Sequence, residues 1–138
     1  MFAMASNSTF RSMPTDPAAE SAIRRTLTRY CQRCDDGDFA TWAELFEPDA
    51  TFSVLGRTYE GRDAIRMFIE KSQGPDARGK HVIAQSEVDV DGDEAAAVTD
   101  YLFLSKAREI TSAGRYHDRL RRDGDGEWRF VSREIRFL

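Results

Sequence analysis

Apolar positions between residues 16 and 36 recur at helical spacing, with Ile23, Leu27, Tyr30 and Cys34 on one face. Asp16 suits the N-cap and Pro17 the first helical position, so the pattern predicts a helix over 16–36. "DDGD" at 35–38 stops it, with Gly37 as the C-terminal break. Asp38 then caps a short second helix, "FATWAELF", whose inward residues are Phe39, Trp42, Leu45 and Phe46. "EPDA" predicts a turn, and "TFSVLGRTYEG" two short strands joined at Gly56-Arg57. Residues 63–72 read as a third helix with Ile65, Phe68 and Ile69 inward, followed by the loop "QGPDARG".

Beyond that loop the period changes to that of strands. One strand is predicted over 81–90, a second over 95–107, a third over 114–122 and a fourth over 128–138. In the second, Val98, Leu102 and Leu104 oppose Thr99, Tyr101 and Phe103. "DVDGDE" and "DGDGE" supply the turns; the first has its glycine in the fourth place, whereas a calcium-binding EF-hand loop needs it sixth. The order predicts an α+β fold, three N-terminal helices covering one face of a curved antiparallel sheet.

Composition adds limits. The 138 residues fit one domain, 18–138, preceded by a Ser-, Pro- and Asn-containing tail, 1–17, expected to be disordered. A net charge of −4 argues against general nucleic-acid affinity, and Arg115, Arg119, Arg121 and Arg122 read as a solvated strand face paired with acids. No apolar run approaches the roughly 20 residues of a membrane span, and the N-terminus lacks signal-peptide features, so a cytoplasmic location is expected. Cys31 and Cys34 form a C-x-x-C inside the first helix. A redox pair would sit at a helix N-terminus and a zinc site would need two more ligands, so both read as small core residues.

His81, one of two histidines, opens a strand as "RGKHVIAQ". It is either a polar strand start or a base carried into a cavity; Asp35 is either a solvated helix-end acid or its partner. Tyr116 and Asp118 share one face of their strand and His117 the other. Tyr59, Tyr101 and Phe103 are pocket walls or plain core.

The stretches "DGDFATWAELFEPDATF", "YEGRDAIRMFI", "GRYHD" and "WRF" resemble the SnoaL-like family of the nuclear-transport-factor-2-like superfamily, whose relatives include scytalone dehydratase, ketosteroid isomerase and hexachlorocyclohexane dehydrochlorinase. The resemblance spans 18–138 and implies a cone-shaped sheet around an apolar pocket closed by the first helix. It implies that Asp35 pairs with His81, the carboxylate fixing the tautomer of a base usable at neutral pH. Tyr30 falls where the isomerase places its oxyanion tyrosine, Asp118 at that family's second donor, and Arg133 at a pocket arginine of the dehydrochlorinase. Departures are visible too. Val54 stands where the isomerase has its base, Tyr30 where the dehydrochlorinase has a lysine, and Ser105 near the dehydratase's second histidine. The resemblance therefore implies a cofactor-free lyase or isomerase, without metal, acting on a small cyclic or aromatic molecule with His81, Asp35 and Tyr30 as the catalytic group. Arg133, Asp118, Tyr116, Tyr59, Phe103 and Tyr101 would line the ligand. The alternative is a non-catalytic ligand-binding or dimerisation module. A homodimer is expected through the outer sheet face, which carries Leu102, Leu104 and Phe137.

Overall fold

Asp16 accepts a hydrogen bond from the Ala19 backbone N–H (3.0 Å) and starts helix α1, Pro17–Asp35, in the computed structural model, which describes residues 15–138. The predicted tail falls almost wholly outside the described residues. At the other end Gly37, at φ 74°, allows a left-handed turn in which its N–H reaches the Cys34 carbonyl (3.0 Å) and the Asp38 N–H the Arg33 carbonyl (2.9 Å). These two bonds form a Schellman motif, which fixes Asp35 as the last helical residue. Ile23, Leu27, Tyr30 and Cys34 are buried on one face, as their spacing predicts.

Helix α2, Phe39–Ala43, is shorter than the pattern suggests. Phe46 instead opens strand β1, Phe46–Val54. The expected turn at 47–50 is an irregular part of that strand. Five steps of β1 (Phe46 to Thr51) pass two of strand β7, Trp128–Phe137 (Phe130 to Ser132). Leu55 (φ 53°) and Gly56 (φ 74°) both adopt positive φ, the type I′ geometry that turns β1 into β2, Arg57–Glu60. Helix α3, Arg62–Ser72, buries Ile65 and Ile69.

The predicted strand over 81–90 is broken into β3, Lys80–Ile83, and β4, Glu87–Asp91, both paired with β5, Glu94–Leu104. The break has a tertiary cause. Arg24 of α1 draws the Ser86 carbonyl to itself (3.1 Å), and the Ser86 hydroxyl meets Thr99 (2.6 Å). Strand β6, Ile110–Arg122, begins four residues before the predicted start, and β5 ends at Leu104, short of the predicted 107.

The strands form one curled, unclosed sheet in the order β2-β1-β7-β6-β5-β3, with β4 also on β5; β1 and β7 run parallel and the other pairs antiparallel. The three helices pack against it. Between them lies an aromatic core of Tyr30, Trp42, Phe46, Phe52 and Phe130, with ring centroids 4.9–6.2 Å apart. Each such ring contributes about 1.5–3 kcal/mol by leaving water. No helix among the described residues is long and apolar enough to cross a membrane.

Candidate functional site

Asp35 reaches β3 from the end of α1. Its carboxylate accepts the His81 backbone N–H at 3.0 and 3.2 Å, and the imidazole Nδ1 lies 2.6 Å from Oδ1. One acid thus grips both the main chain and the ring of a residue 46 positions away. Both side chains are withdrawn from solvent, at 10% exposure for His81 and 4% for Asp35. With Nδ1 engaged, the group left for a ligand is Nε2. The strand phase accounts for the burial: His81 and Ile83 turn inward while Val82 is exposed. Gly79 lets the loop approach β5 this closely, because a side chain there would strike the Leu104 carbonyl.

Tyr30, on the inner face of α1, stands edge-on to His81 (6.1 Å). Burial raises its phenol pKa well above the ordinary value, against the opposing charge of Arg133, so the hydroxyl stays protonated as a donor. Tyr30 also joins a stack. The Arg133 guanidinium lies 4.1 Å from the Tyr30 ring centre and 3.7 Å from that of Tyr116, with Phe130 at 4.6 Å. Tyr116 in turn stacks on Tyr101 at 4.4 Å and 6°.

Asp118 accepts two hydrogen bonds from Arg133, Nε at 2.7 Å and Nη2 at 2.8 Å, with both side chains at or below 1% exposure. Burial raises the Asp118 pKa, opposed by the guanidinium; burial is also the largest single effect on Arg133 and would lower its pKa, but the charge and hydrogen bonds of Asp118, with Tyr30 and Tyr116, together raise it above the ordinary value. Arg133 is therefore cationic. Its Nη1 has no hydrogen-bond partner among the described residues.

Simple alternation from Trp128 and Phe130 would have turned Ser132 and Glu134 inward. A β-bulge prevents this. Leu120 faces Phe130 while the neighbouring Arg119 faces Ser132, so Val131 is an extra residue and Arg133 takes the inner phase. The same shift puts Phe137 in phase with Arg133 and Ile135, so it leaves the outer row expected to form a dimer face. Val98, Leu102 and Leu104 remain there, half-buried.

The remaining sequence candidates occupy two places. Tyr101 is buried and its hydroxyl meets Ser112 at 3.0 Å. Phe103 stands directly across from His81, 4.8 Å from its ring. Tyr59 lies apart from these, stacked on Phe68 of α3 at 4.3 Å. An open hollow of about 500 Å³ is lined by Leu55, Ile110, Ser112 and Phe137 among others, and the Ser112 hydroxyl meets that of Tyr101. Trp42, Phe130 and Ser112 belong to this constellation although no chemical signal singled them out. Apolar spacing marks Trp42 alone, as an inward residue, and Phe130 stands only within the "WRF" stretch.

His117 faces away from Asp118, beside Arg115 and Arg136 along a second hollow. Cys31 and Cys34 are free and buried, and burial pushes their thiols up to about 11 and about 12, the opposite of a reactive redox pair. Among the described residues no three His, Cys, Asp or Glu side chains converge as metal ligands.

A family model described as the SnoaL-like domain matches residues 16–134. Among solved structures, the chain is similar to a protein of unknown function from Mycobacterium tuberculosis. The two are 28% identical over 89% of this chain and 78% of that one, with a TM-score of 0.82. A candidate scytalone dehydratase from Novosphingobium aromaticivorans is 28% identical over 88% and 85%, TM-score 0.77. A nuclear-transport-factor-2-like protein with a cystatin-like fold from the same organism is 28% identical over 86% and 80%, TM-score 0.77. No curated protein matches the chain in sequence.

Proposed function

The chain belongs to the SnoaL-like family, and from that premise we propose that it is a cytoplasmic, cofactor-free lyase or isomerase acting on a small cyclic or aromatic molecule. The observation that carries the reading is the 2.6 Å contact between His81 Nδ1 and Asp35 in a nearly water-free setting. In this reading Nε2 takes a proton from carbon next to a carbonyl or a leaving group. Asp35 holds the Nδ1–H tautomer and stabilises the imidazolium that forms. Tyr30 donates to the negative charge that develops on the substrate, which suits a phenol kept neutral by burial. Arg133 offers its Nη1 to an anionic or leaving group while Asp118 holds the rest of the fork. Tyr116 and Tyr101 supply apolar wall. The likeness to a candidate scytalone dehydratase supports the dehydratase branch of this reading.

A second reading, a non-catalytic ligand-binding or dimerisation module, has one observation in its favour: the two buried charges satisfy each other, as a purely structural pair would.

The test is exchange of α-hydrogens. Cyclic ketones and β-hydroxy ketones are incubated with the protein in deuterated water and followed by NMR, with loss of water monitored in parallel. Turnover is expected, with His81→Ala and Asp35→Asn each losing on the order of 10²–10⁴ in rate. Because the two side chains act as a unit, the double variant should lose little more than either single one. A His81→Ala protein at full rate would reject the assignment, and a panel without exchange or dehydration would favour the binding module.

A further inference from the structure

We infer that Phe103 is a positioning residue for His81, its ring set near-perpendicular to the imidazole with its tip close to Gly79. The inference rests on His81 as the base, yet the geometry it invokes can be measured without any substrate.

Asp35 restrains only one side of the imidazole. A hydrogen bond at Nδ1 chooses which ring edge faces the carboxylate, but carboxylate acceptors tolerate a broad range of directions. The ring plane, and with it the direction of the Nε2 lone pair, needs a second contact. Phe103 is placed to give it. The β3–β5 register sets the two residues directly opposite each other, and their rings meet at 4.8 Å and 70°, within the edge-to-face range. Phe103 is itself confined. A Cβ on Gly79, the residue just before β3, would lie 3.0 Å from the tip of its ring, so the ring occupies space that a side chain at 79 would take. Tyr30 is a second near-perpendicular neighbour of the imidazole, at 6.1 Å and 83°. His81 thus has a carboxylate on Nδ1 and two aromatic rings set near-perpendicular to its own. The contact made by Phe103 is with the base, which distinguishes its role from that of a wall shaped around the ligand.

The experiment uses the full chain labelled with ¹⁵N-histidine. Imidazole nitrogen shifts report the tautomer, and line widths report motion between ring orientations. In the parent protein His81 should show the Nδ1–H tautomer as one sharp form, with NOEs from its ring protons to Phe103. In Phe103→Leu the two nitrogen shifts should move toward each other or broaden, while Phe103→Tyr should restore the parent pattern. Once a substrate is in hand, Phe103→Leu should lower kcat roughly ten- to a hundred-fold, the scale of a misplaced reacting group, with KM within about two-fold. Unchanged His81 shifts in a folded Phe103→Leu protein would overturn the inference. So would a raised KM at constant kcat, which is the signature of a ligand wall. If Phe103→Leu fails to fold, missing His81–Phe103 NOEs in the parent protein would overturn it equally. None of the NMR outcomes depends on turnover, so they remain readable if His81→Ala shows that the histidine is no base.

Discussion

Replacing Asp118 by Asn tests how a cation is kept inside this fold. Arg133 is 2% exposed and Asp118 4%, and the carboxylate takes two of its hydrogen bonds. Asn preserves the shape but turns one charge-assisted acceptor into a donor that faces the guanidinium, and it removes the compensating charge. Breaking one partner of a buried pair costs about 3–5 kcal/mol. The three rings around Arg133 remain and offset part of this, since a desolvated cation–π contact is worth about 2 kcal/mol. The lower end, about 3 kcal/mol, is therefore expected. At about 4 °C per kcal/mol for a domain of this size, Tm should fall by about 12 °C. Urea unfolding followed by circular dichroism should show a lower midpoint at unchanged slope. The double variant Asp118→Leu/Arg133→Met removes both charges and should recover most of the loss, because exchanging a buried ion pair for apolar groups is often neutral. A single-variant cost below about 1 kcal/mol would refute the argument, since it would mean the aromatic rings alone hold the charge.

Two further outcomes are expected. Burial pushes the Cys31 and Cys34 thiols up to about 11 and about 12, so almost no thiolate forms at pH 8. Both should resist iodoacetamide in the native protein and react fully in denaturant, and labelling of the folded chain at the rate of a free thiol would contradict their placement. A homodimer through the outer sheet face should be visible by light scattering at micromolar concentration, with Leu102→Asp shifting it to monomer. A wild-type mass of one 15.7 kDa chain would remove that expectation.

What the sequence made legible was local. Asp16 and Gly37 act through hydrogen bonds or φ values within a few residues, and each lies where its chemistry predicts, while the hairpin turn falls at Leu55-Gly56, one residue before the expected Gly56-Arg57. The misplaced boundaries have distant causes. Helix α2 stops early because Phe46 is taken by Phe130 across a parallel pairing, although its apolar spacing continues the helical pattern. The strand predicted over 81–90 is interrupted by Arg24, 62 residues from the carbonyl that it binds. No window of neighbouring residues contains either partner.

The site divides along the same line. His81 and Asp35 were visible as residue types at element ends, but only the family resemblance suggested that they meet. Arg133 shows why pattern alone falls short there. Its strand alternates correctly through Trp128 and Phe130, and one extra residue at Val131 then inverts the phase of everything after it. An inverted phase would ordinarily expose apolar residues and bury charged ones. Here the charge that it buries, Arg133, meets the carboxylate that β6 turns inward at Asp118, and that of the neighbouring Glu134 stays exposed. The bulge is therefore tolerated because of a residue 15 positions earlier in the chain. Its effect is to set a cation beneath Tyr30, the ring that also flanks His81. The two halves of the proposed site, the histidine with its acid and the arginine with its acid, thus share one tyrosine on α1. Any change that shifts that helix should disturb both together.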